Sequence, residues 1–112
     1  MNLQFKFTDL QIEKIRSEGY IYICSCPSQV SEQVANLRRI FNYQDECLNS
    51  GESALSVKTH QLIAEATNES HKIMQQCLED VLISEKWNLE TLDMPENIRK
   101  KLASKLSNEA PP

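Results

Sequence analysis

The sequence predicts a mainly α-helical protein. Its expected centre is an antiparallel hairpin of two long helices, on which a short N-terminal segment of αβ character and a short C-terminal helix pack as a small bundle. Three observations predict it. Two long stretches carry apolar residues at alternating steps of three and four, the spacing that lines one face of a helix. The chain holds only two glycines, too few for the turns of an all-β fold. And 112 residues, 40% of them hydrophobic, suffice for one core but not for two. Residues 1–106 are expected to form that single helical domain and 107–112 a disordered tail.

The elements follow in order. Residues 2–7 alternate, with Leu3, Phe5 and Phe7 on one side, which signals a short strand. Thr8 then reads as an N-cap, with Gln11 completing a capping box and Phe7 and Ile12 forming a hydrophobic staple. The helix this opens runs from 8 to about 18, and Gly19 is expected to stop it by taking the left-handed conformation. Residues 20–24 (Tyr-Ile-Tyr-Ile-Cys) suit either a second strand or a buried helical turn.

Pro27 opens the first long helix, with Cys26 as its cap. Val30, Val34, Leu37, Phe41, Gln44 and Leu48 form its seam. A short loop at Gly51 leads to a second long helix, from 53 or 56 to about 85, with a seam at Leu55, Thr59, Leu62, Ala66, Glu69, Ile73 and Cys77. Folding the two back on each other pairs positions whose numbers add to 103, among them Leu37 with Ala66, Phe41 with Leu62 and Val30 with Ile73. Trp87-Asn88-Leu89 ends this helix, and Pro95 opens the last one, with Ile98, Leu102 and Leu106 in line and Arg99, Lys100 and Lys101 beside them.

The second long helix carries another apolar stripe at Ile63, Met74, Leu78 and Leu82, beside its seam. A two-helix hairpin leaves that stripe bare, so the N-terminal helix, the C-terminal segment, a protein partner or a second copy must cover it, and it is the expected interaction surface.

Candidate chemistry is sparse. Cys24, Cys26, Cys47 and Cys77 form no C-x-x-C motif. The hairpin register would bring Cys77 to Cys24 and Cys26, a three-thiol set for thiol redox or for zinc. Cys26 at a helix N-terminus would have a lowered thiol pKa. The alternative reading is that the cysteines pack as small hydrophobes. His60 and His71 lie on one helix face about 16 Å apart, too far to share a metal, and are expected to face solvent. No G-x-S-x-G elbow, H-E-x-x-H motif or glycine-rich phosphate loop occurs.

A net charge of −4 argues against nucleic-acid binding. The longest apolar run is five residues, against the roughly 20 that a membrane span requires. With no secretory leader read ahead of the cysteines, the expectation is a cytoplasmic chain with reduced thiols. The expectation is a cytosolic, non-enzymatic helical module for protein interaction or regulation, self-associating and without a cofactor. Its alternative is a thiol-redox or metal-sensing protein built on Cys24, Cys26 and Cys77.

Overall fold

The structure, a computed structural model, describes residues 2–50 and 57–95. Three helices account for most of them: α1 (Asp9–Gly19), α2 (Cys26–Ser50) and α3 (Val57–Ser84). The Gly51 loop, Leu55, the helix expected from Pro95 onward with its basic cluster, and the tail at 107–112 lie outside the described residues, Pro95 itself excepted.

Helix α1 begins as its local sequence dictates. The Thr8 hydroxyl accepts from the Gln11 amide at 3.1 Å, and the Gln11 side chain accepts from the Thr8 amide at 2.8 Å, so the capping box is closed. Phe7 and Ile12 are both buried, as a staple requires. The other end corrects the sequence reading. Gly19 is the last helical residue and Tyr20 caps the helix with ordinary right-handed dihedrals (φ −67°, ψ −28°). Glycine is needed there for proximity: a Cβ on Gly19 would lie 2.6 Å from the Ser28 Cβ and 3.0 Å from the Ser28 backbone. The glycine thus lets α1 approach the first turn of α2.

No strand is present among the described residues, which corrects the strand expectation at residues 2–7 and removes the strand alternative at residues 20–24. Residues 20–22 form successive tight turns, their amides bonding the carbonyls of Ser17, Glu18 and Gly19. Only Tyr22 turns inward. Its hydroxyl donates to Glu85 at 2.9 Å and its ring meets Trp87 edge-on at 5.3 Å. Residues 2–5 stay free of a β-partner because one side chain of α3 does a strand's job. The Gln75 Oε1 accepts from the Lys6 amide at 2.8 Å and the Phe7 amide at 3.3 Å, and its Nε2 donates to the Gln4 carbonyl at 2.8 Å. The segment runs along α3 in the same chain sense, from Asn2 beside Asn68 to Lys6 beside Gln76.

Helix α2 starts one residue earlier than predicted. The Ser25 carbonyl accepts the first helical bond, from Gln29 at 2.9 Å, so Ser25 takes the cap position and Pro27 is the second helical residue, buried. Near its other end Gln44 contacts His60 of α3 at 2.6 Å, whereas the earlier Arg38 bonds His71 and Gln75 further along α3. The two helices therefore lie against each other in opposite chain sense.

Their contact face differs from the predicted register. The buried residues of α3 are Ala64, Thr67, His71, Gln75, Leu78 and Leu82, while Leu62, Ala66, Glu69 and Ile73 of the predicted seam face outward. In α2 the buried position is Arg38 rather than its neighbour Leu37, which is half-buried. The reason is chemical. A buried guanidinium demands acceptors, and the polar face of α3 supplies them.

Helix α3 ends in a Schellman motif: Trp87 donates to the Leu82 carbonyl, Lys86 to that of Ile83, and Lys86 takes the left-handed conformation (φ 63°). The chain then closes a turn in which the Asn88 Oδ1 accepts from the Glu90 and Thr91 amides and the Asn88 backbone pairs with Leu92 and Asp93. Lys14 of α1 pins this turn through Asp93 at 3.0 Å. One core results, joining Phe7, Ile12, Ile15, Val34, Leu78, Leu82, Trp87, Leu92 and Met94.

Candidate functional site

The predicted interaction stripe does not face a partner. Leu78 and Leu82 are fully buried, Met74 packs against the same core, and Ile63 lies at its edge, 37% exposed. Helix α1 and the turn at 87–94 supply the cover that a bare hairpin would lack. Three of the four residues thus belong to the core, covered by the N-terminal helix that the sequence allowed as one alternative, and the stripe is not an open interaction surface.

The outward face of α3 is the seam that the sequence assigns to the hairpin. Leu62 is 58% exposed and Ile73 64%, with Ala66 between them and Cys77 one turn further on. They lie about half a helical turn from His71 and Leu78. Beside Ile73 the face opens into a groove of about 820 Å³, floored by Ile73, Cys77 and Val81 and walled by Phe5 and Lys6 of the N-terminal segment. The groove exists because Gln75 holds that segment alongside the helix.

Behind the wall lies a buried polar cluster. Arg38, 4% exposed, donates to the His71 Nε2 at 3.0 Å, the Gln75 Oε1 at 2.9 Å, the Phe7 carbonyl at 2.7 Å and the Asp9 carboxylate at 2.9 Å. The Phe5 ring covers the guanidinium, its centroid 3.6 Å from Cζ, and tilts against His71 at 5.8 Å. Because the His71 Nε2 accepts, the ring is neutral with its proton on Nδ1. Burial first, and Arg38 second, hold its pKa below the usual 6.5. His71 is thus buried and His60 partly so, whereas the sequence reading placed both in solvent.

This cluster went unread in the sequence although a signal was there. His60, Ala64, Thr67, His71, Gln75, Leu78 and Leu82 follow one another by threes and fours, and Arg38 stands four after Val34 and three before Phe41. Polar members in an apolar rhythm masked the buried face.

The cysteines divide. The neighbouring Cys24 side chain, through hydrogen bonding first and charge second, raises the pKa of the exposed Cys26 thiol. The predicted activation by the helix N-terminus is therefore outweighed by a neighbouring thiol. Cys77 lies apart, in the groove on the outer face of α3, and Cys47 is half-buried on α2. Among the described residues no three His, Cys, Asp or Glu side chains converge as metal ligands, so the three-thiol zinc set is not assembled. No described helix is long and apolar enough to cross a membrane.

Comparison with family models gives no match, and comparisons with curated proteins and with solved structures give none either.

Proposed function

We propose that this chain is a small protein–protein interaction or regulatory module that binds helix to helix through the outer face of α3 and self-associates. The reading is of a non-enzymatic cytosolic protein whose α2–α3 hairpin is the scaffold and whose exposed stripe is the working surface. One observation carries it. The heptad-spaced residues Leu62, Ala66 and Ile73 point away from a core that is already complete without them.

Sedimentation at tens of micromolar tests the reading. The wild type is expected above the monomer mass of 12.9 kDa, and Leu62→Glu with Ile73→Glu is expected to return it to that mass with its helical circular dichroism intact. A wild type that sediments as a monomer overturns self-association.

A second reading, thiol redox, rests on the closeness in sequence of two free cysteines, Cys24 and Cys26, alone. In this reading glutathione disulfide would accept two electrons, forming a Cys24–Cys26 disulfide and releasing two glutathione thiols. Loss of two hydrogens by intact mass, absent in Cys24→Ser, is the expected outcome. Its absence in the wild type leaves the thiols inert.

A further inference from the structure

We propose that the partner of the outer face of α3 is a second copy of this chain, docked antiparallel in one register that sets Leu62 of each copy against Ile73 of the other. The inference rests on the reading above that the chain self-associates through this face, and adds orientation and alignment.

The argument lies in the charges that border the stripe. Positions 59, 62, 66, 69, 73 and 76 form the outward seam of α3. The row along one side of it falls at 58, 65, 72 and 79, and reads Lys, Glu, Lys, Glu. Lys58, Glu65 and Lys72 are exposed and Glu79 is half-exposed, so the row stands at the edge of the stripe rather than in the core. The row on the other side, at 63, 70 and 77, is Ile, Ser and Cys and carries no charge.

Orientation follows. In a parallel pair each border row faces the opposite row of its partner, so the charges would meet Ile, Ser and Cys and none would be paired. In an antiparallel pair a row faces itself in reverse order. Lys58 then meets Glu79 of the second copy, and Glu65 meets Lys72. The two-fold axis repeats each contact, making four opposite-charge pairs.

The register follows from the same row. A slide of one heptad in one direction sets Glu65 against Glu79 and Lys72 against Lys72. A slide in the other sets Lys58 against Lys72 and Glu65 against Glu65. Every charged contact in a slipped pair is therefore repulsive, and like charges across a seam select against it. The alignment that satisfies the charges also places the large apolar residues together, Leu62 on Ile73 twice. In the central layers Glu69 lies against the small Ala66. There its carboxylate keeps its existing contact with Lys72 of its own chain at 3.7 Å. Glu79 likewise already faces Lys6 at 3.6 Å, and Lys6 also donates to Gln76 at 2.6 Å, so the N-terminal segment meets the last seam position while Leu62 and Ile73 stay exposed.

Two single charge reversals test the arrangement. Glu65→Lys places Lys against Lys at both ends of the central pair, and Lys72→Glu places Glu against Glu. Each variant alone, still helical by circular dichroism, should dimerise with a Kd at least about tenfold weaker than the wild type at low salt. Mixed one to one, the variants form a heterodimer in which every such contact is again attractive, and the wild-type Kd should return within about threefold. Singles as tight as the wild type, or a mixture as weak as the singles, would overturn the antiparallel register. If Leu62→Glu with Ile73→Glu still abolished association in that case, the interaction surface itself would stand. A monomeric wild type would overturn the second copy altogether. Hydroxyl-radical protection of Leu62 and Ile73 in that monomer would then assign the face to residues 96–112.

Discussion

At the scale of a residue, Gly19 decides how closely two helices approach. Its Cβ position is already filled by the Ser28 side chain and backbone, at 2.6 to 3.0 Å, while its own backbone is helical. Any side chain must push α1 off α2. Gly19→Ala should cost about 2 kcal/mol by overpacking, and Gly19→Asn more. A glycine kept only for left-handed φ would give the opposite order, since asparagine tolerates that conformation and alanine does not. Chemical denaturation of the two variants separates the accounts. His71 makes a second residue-scale statement, through protons. Its folded pKa lies below the unfolded value of 6.5, so the unfolded chain binds the proton more tightly. The stability that His71 contributes is complete above about pH 6.5 and is lost as pH falls toward its lowered folded value. Denaturation midpoints should drop across that window, and His71→Gln, which does not titrate yet offers Arg38 an acceptor, should flatten the drop.

At the scale of an element, helix ends were legible and helix faces were not. The Thr8–Gln11 box depends on four consecutive residues, and the sequence holds all of them. The close of α3 depends on local residues as well, and there the structure makes a sharp demand. Lys86 adopts φ 63° in the Schellman turn, a conformation that costs a residue with a Cβ about 1 kcal/mol. Lys86→Gly should therefore raise stability by about 1 kcal/mol without moving the helix end, measured by thermal or urea unfolding. Which face of α3 turns inward is a different kind of question. Both faces carry apolar residues at threes and fours, and the outer one, with Leu62, Ala66 and Ile73, is the more regular. The inner one wins because His71 and Gln75 are partnered there, and those partners come from α2 and from residues 4–7. Pairing across 37 or 71 positions leaves no periodic trace. The same blindness made residues 2–7 look like a strand. Their alternation is real, but the ladder they need is one glutamine side chain on α3.

At the scale of the whole molecule, the exposed face of α3 was half legible. The sequence showed that α3 has two apolar stripes, but it gave the hairpin contact to the one that the structure leaves exposed. Arg38 is what sorts them. Turned by half a revolution, α3 would offer α2 Leu62, Ala66 and Ile73 and take His71 and Gln75 away from the guanidinium, a loss of about 1–3 kcal/mol for each buried group left unpaired. Arg38→Met should cost the native arrangement about 3 kcal/mol for the same reason. It should also remove the penalty on the rotated one, so that α3 amides show two sets of resonances in a chain that stays helical. A single set, merely less stable, would show that the apolar core alone fixes the rotation.

A consequence for the route to the native state follows from that division. Collapse in water is quickest for apolar surface, and α3 carries apolar residues on both faces, Leu62 and Ile73 outside and Leu78 and Leu82 inside. Apolar attraction alone therefore does not choose between the two rotations of α3 against α2. The choice falls where the Arg38 guanidinium sheds its water and finds the Phe7 carbonyl, His71 and Gln75 together. Arg38 thus acts as a proofreader, rejecting the docking that leaves it without acceptors.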